Sequence, residues 1–183
     1  MPVTTLDLVT LRPARHTFHR IVPGWFLLGD VVLDQYGSVV TWVLHAEADG
    51  SVLVGTSHYV LRFERGQEPP VCGFWSLVVH DQHCLPADNR LHRFSIGDRD
   101  ALRFDPDGSL EIHIGATPPP HHLESNWLPA PAAAFHLLLS VHGPLPEVVK
   151  GDWSPPPIER SERHGAAPRT GDSDGESVSD RGD

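Results

Sequence analysis

An all-β fold, an antiparallel sandwich with little helix, is what this sequence predicts, and three observations predict it. Short apolar and β-branched runs recur seven times between turn signals, a count expected of a sandwich or barrel. Proline clusters between those runs rather than inside them, where a missing backbone donor does least harm. No window longer than about 11 residues holds a 3.6-residue apolar period without Gly or Pro, so helix content is small.

In chain order, the opening segment has room for one short helix, and strands are expected at 25–33, 38–45, 58–63, 73–80, 92–96, 109–114 and 135–142. Ala48-Asp49-Gly50 and Asp105-Pro106-Asp107-Gly108 join turn formers to a glycine that tolerates positive φ, and both predict β-hairpins. Proline runs at 69–70, 118–120, 129–131 and 155–157 mark strand boundaries. Beyond residue 157 apolar residues nearly vanish while Ser, Gly, Asp, Glu and Arg accumulate, too little to offset chain entropy by burial. The predicted organisation is a sandwich domain at 1–157 and a disordered charged tail at 158–183.

The net charge of −10 disfavours nucleic acid phosphates and anionic lipid as partners. No apolar run approaches the roughly 20 residues of a membrane helix, and the N-terminus lacks an uninterrupted signal-peptide core. A cytoplasmic protein is expected. Cys72 and Cys84 are the only cysteines, too few for a disulfide framework, and they read as free thiols. No nucleophile elbow, phosphate loop or dinucleotide fingerprint is present. The 13 histidines are the most unusual feature.

From about residue 50 to 157 the chain resembles the bacterial domain of unknown function 1214 family. The resemblance is carried by Tyr59-Val60-Leu61-Arg62-Phe63, Pro69-Pro70 with Phe74-Trp75-Ser76-Leu77, Ser95-Ile96-Gly97-Asp98-Arg99, Asp105-Pro106-Asp107-Gly108-Ser109-Leu110 and Asn126-Trp127-Leu128-Pro129-Ala130-Pro131. Pro146-Glu147-Val148 with Gly151-Asp152-Trp153 is similar to the family's closing strand and terminal segment. The resemblance implies a jelly-roll-like sandwich, usually the C-terminal half of two-domain proteins, here standing alone. It implies no settled activity, so function has to be argued from a site. It also implies tyrosine at three strand positions where this chain has His80, His113 and His142.

Strand period decides which side chains share a face. Leu110, Ile112 and Ile114 leave Glu111 and His113 opposite; Phe135, Leu137, Leu139 and Val141 leave His136, Ser140 and His142 opposite. Two readings follow. The histidines line the solvated side of a two-layer sandwich, or one sheet curves around a cavity lined by His80, His113 and His142, with Glu111 or Asp81. In a cavity, imidazoles suit acid and base catalysis on a mainly apolar small molecule without a cofactor, by a cyclase, isomerase, dehydratase or hydrolase. The same three histidines offer an alternative zinc or non-haem iron site. Asp98, Arg99, Asn126 and Trp127 are candidate substrate contacts, and each also reads as a turn, cap or packing residue. The competing class is a non-catalytic ligand-binding or homo-oligomer-forming module, since open sandwich edges invite self-association.

Overall fold

The computed structural model describes residues 19–22, 25–28, 31–34, 37–45, 47 and 50–161, with the backbone alone for 19–22, 25–28 and 32–34. Among these residues, β1 (His19–Val22), β2 (Trp25–Leu28), β3 (Val31–Asp34), β4 (Val39–Leu44), β6 (Val71–Asp81), β7 (Ser95–Gly97) and β10 (Phe135–Pro144) form a front sheet. Its order is β1-β2-β3-β4-β10-β6-β7. The back sheet contains β5 (Tyr59–Phe63), β8 (Leu110–Gly115), β9 (Trp127–Pro129) and β11 (Ile158–Arg160), in the order β11-β5-β8-β9.

The strict alternation of β10 makes it the spine of the front sheet. Leu139 lies opposite Trp42 on one neighbour and Leu77 on the other. With Leu137, Val141, Trp75 and Val79 these residues face inward and are almost fully buried. Tyr59, Leu61, Phe63, Leu110, Ile112 and Ile114 close the core from the back sheet. Each such aliphatic side chain stabilises the fold by about 1.5–3 kcal/mol relative to exposure. The result is an all-β sandwich, antiparallel among the described residues except for the pairing of β8 with β9.

Several expectations need correction. The 25–33 run is two strands, β2 and β3, and β1, β9 and β11 arise where no strand was predicted. β9 is only three residues long and ends on a proline, which an edge position tolerates. The Asp105 turn exists: the Gly108 N–H donates to the Asp105 carbonyl (2.8 Å), with φ +86° at Gly108. A turn also forms at Gly50, whose N–H donates to the Glu47 carbonyl. Each turn closes like a tight hairpin, with the Asp105 N–H donating to the Ser109 carbonyl (2.9 Å) and the Glu47 N–H to the Ser51 carbonyl (2.8 Å), but the named strands that flank it lie in different sheets.

Pro146-Glu147-Val148 begins the helix α1 (Pro146–Lys150) rather than a strand, with Pro at its first turn and Gly151 in the left-handed region at its C-cap. The domain also runs past residue 157. Ile158 is 2% exposed and pairs with Leu61, so β11 belongs to the sandwich. The N-terminal helix and the tail from residue 162 fall outside the described residues.

Candidate functional site

One end of the sandwich opens where the chain crosses from β7 to β8. A cleft of about 300 Å³ lies there, at the lower bound of small-molecule sites. Its floor is apolar, formed by Val71, Trp75, Leu102 and Leu110. Phe104 stands at the mouth, 49% exposed. Glu68, Asp98 and Asp100 supply the charged part of the lining.

The wall is held by its own carboxylates. The Trp75 N–H donates to Asp98 Oδ1 (3.2 Å) and the Gly97 N–H donates to Asp100 Oδ2 (2.8 Å). Gly97 is required because a Cβ there would collide with the Trp75 carbonyl oxygen. The indole of Trp75 packs against Phe63, 5.6 Å between ring centroids. Asp98 therefore caps a strand, as the turn reading expected, and also lines a concavity.

Arg99 turns away from the cleft to the outer face of the front sheet. Its guanidinium lies 3.7 Å from the Phe74 ring centroid. His142, directly opposite Phe74 in register, stacks on the same ring at 4.2 Å and 9°. Two planar groups this close cannot share one face, so Phe74 is held between a cation and an imidazole.

His80 is on that outer face too, six residues further along the ladder, about 20 Å from His142 at a rise of about 3.4 Å per residue. It lies opposite His136, with ring centroids 5.6 Å apart. Burial lowers the pKa of both imidazoles below the usual histidine value; the positive charge of His80 lowers His136 further, and the Asp81 carboxylate opposes the shift in both. Asp81 itself is held below the ordinary carboxylate range by the backbone N–H groups of Leu85 and His83. His45 continues the row next to His136 and acts on it electrostatically.

His113 is on the opposite side of the molecule. It projects from the outer face of the back sheet, 6% exposed, beside Trp127 in register and beneath the 3-10 helix His121–Asn126. A recess of about 10 Å³ there is shared with Arg103, Glu111, His122 and Asn126, room for no more than a water molecule.

Glu111 lies 3.9 Å from His113 Nε2 and accepts from Arg62 (2.7 Å). Arg62 also bonds Glu64 and Asp107, and its pKa rises. Asp107, bonded first by Ser109 and then by Arg62, falls to about 2. Asn126, 4% exposed, accepts from the Arg103 N–H and donates to the Arg103 and Glu111 carbonyls. Trp127 is buried, and its Nε1–H donates to the Gly115 carbonyl. Glu111, Asn126 and Trp127 are thus committed to the fold.

The cavity expected from His80, His113 and His142 is not formed, because period 2 puts all three on outward faces and on two different sheets. The alternative metal set of the same three residues is separated for the same reason. Among the described residues no group of three or more His, Cys, Asp or Glu is arranged to hold a metal. Cys72 and Cys84 are both free and exposed. Of the predicted contacts only Asp98 reaches the cleft. The rest of its lining was missed, because apolar residues at strand starts and in a crossover carry no motif. The one visible signal was the acid-rich stretch from Asp98 to Asp100 between two turn signals.

Comparison with known proteins places the chain. The model of the family described as "Protein of unknown function (DUF1214)" matches residues 38–146, more than half of the sequence, and the chain belongs to that family. It is similar to the crystal structure of the VPA0106 protein from Vibrio parahaemolyticus, at 28% identity and a TM-score of 0.61, over 68% of this chain and 31% of that one. It also matches an uncharacterized protein from Burkholderia cenocepacia, at 18% identity and a TM-score of 0.42, over 72% of this chain and 32% of that one. The chain spans about a third of the length of each. No curated protein matches it. No helix among the described residues is long and apolar enough to cross a membrane.

Proposed function

We propose that this member of the DUF1214 family is a small-molecule-binding β-sandwich that takes a mainly apolar ligand into its end cleft. The observation that carries the reading is the cleft itself: an apolar floor open to solvent, lined by an indole, with carboxylates already fixed by backbone N–H groups. Such preorganisation lowers the cost of ordering a site around a ligand. The residues lining this cleft include no histidine, so the reading put forward for it is ligand binding rather than histidine acid and base chemistry. Binding without catalysis is the reading the geometry favours. Two free thiols fit a reducing, cytoplasmic setting, and self-association through the open sheet edges stays part of the proposal.

The test uses 2-phenylethanol as a neutral aromatic probe, followed by saturation-transfer NMR on wild type and on Leu102→Trp, which fills the cleft from its partly buried wall. Saturable binding to wild type that falls at least tenfold in the folded variant supports the reading. Equal binding to both, or no binding to wild type of 2-phenylethanol and of its amine and carboxylate counterparts, rejects it.

A further inference from the structure

We propose that the ligand of the end cleft is an organic cation, an amine protonated at neutral pH and carried on an aryl or alkyl body; this rests on the cleft being a binding site. The charged members of its lining, Glu68, Asp98 and Asp100, are all acidic. Asp98 and Asp100 each spend one oxygen on a backbone N–H. Their other oxygens accept no hydrogen bond among the described residues, and both side chains are exposed beside the opening.

The arginines that flank this stretch do not neutralise it. Arg62 is committed to Glu64, Asp107 and Glu111 on the back-sheet surface. Arg99 is stacked on Phe74 at the front-sheet surface. Arg103 donates to the His122 carbonyl beside the 3-10 helix. The Arg65 stem lies over Gly108 in the crossover turn, and the arginine ion pairs among the described residues are those of Arg62 and Arg160, none of them with Glu68, Asp98 or Asp100. A concavity left with unmatched negative charge, in a chain of net charge −10, attracts cations and repels anions.

A metal ion does not meet the description, because no three of the described His, Cys, Asp or Glu groups converge on one point. The floor of Trp75, Leu102 and Leu110 and the exposed Phe104 ring at the mouth instead suit a body that is apolar behind its charge. An ammonium group next to aromatic faces also gains a cation–π term.

Three probes of similar shape separate the possibilities: 2-phenylethylamine, 2-phenylethanol and 3-phenylpropionate, titrated into the full chain at pH 7.5 by heteronuclear NMR at low and high salt, together with Glu68→Gln. The expected result is that the amine binds at least fivefold more tightly than the alcohol, with the carboxylate weakest and the amine's advantage shrinking in salt. Glu68→Gln reduces the amine-to-alcohol affinity ratio by about twofold to fivefold. If the alcohol or the carboxylate binds as tightly as the amine, the cation inference is overturned while the cleft remains a binding site. If none of the three perturbs cleft resonances, the inference and the reading beneath it fall together.

Discussion

The end cleft and the outer faces of the sandwich are made from different kinds of sequence. The outer faces come from strands, so the residues that show there are fixed by a two-residue alternation, and their polar groups find partners across the ladder or in the loops above it. Asn126 bonds three backbone groups, Glu111 is tied to Arg62, and Phe74 lies between Arg99 and His142. The cleft comes from a crossover between sheets, where no periodicity applies and the chain leaves a space it does not fill. Chemically conspicuous residues are therefore largely structural here, and the cleft is floored by side chains that look like ordinary core.

If that contrast is right, the largest effect on stability comes from the committed back-sheet face. Asn126→Ala orphans one backbone N–H and two carbonyls, each worth about 1–3 kcal/mol when buried and unpaired. We expect a loss of about 3 kcal/mol or more in urea denaturation; a loss below 1 kcal/mol would mean water replaces the side chain and the face is not locked. Leu102→Trp should act the other way, weakening probe binding at least tenfold while shifting stability by about 1 kcal/mol or less at its partly buried site.

A smaller effect is expected from the His80 and His136 pair. Both folded-state pKa values lie below the ordinary histidine value of about 6.5, so the unfolded chain takes up protons first and stability falls as pH drops below about 6.5. His136→Phe should flatten the melting temperature between pH 7 and 5 relative to wild type, and an unchanged slope would show that the pair is not what titrates. The smallest effect is His142→Gln, which removes a ring stacked on an already packed phenylalanine. Stability should move by about 0.5 kcal/mol or less and 2-phenylethanol affinity not at all; a clear loss of affinity would return the outer face to candidacy.

The sandwich was legible because β5 and β10 alternate in burial, and the faces read from Tyr59, Leu61 and Phe63 or from Leu110, Ile112 and Ile114 are buried; in β8 the covered His113 and Gly115 bury the other face too. The short edge strands were not legible. Trp127-Leu128-Pro129 and Ile158-Glu159-Arg160 are too brief for a period and are ordered by the strands they join. Alternation also carried the information that His113 and His142 point away from the core, but not that their faces lie on opposite sides of the molecule. That depends on which sheet each strand enters, a long-range property of the fold. Asp98 was visible as a candidate because it sits with Arg99 in a loop that follows a strand; Glu68, Asp100 and Leu102 became its neighbours at the cleft only through the fold.

The central claim is that binding occurs at Trp75 and not at the histidine-bearing faces. Fluorine NMR of 5-fluorotryptophan-labelled protein, with the Trp75 signal assigned by Trp75→Phe, tests it in one titration with 2-phenylethanol. The account predicts a saturable shift of the Trp75 resonance, while Trp127, buried beside His113, stays fixed. A titration that moves Trp127 and leaves Trp75 in place would contradict it.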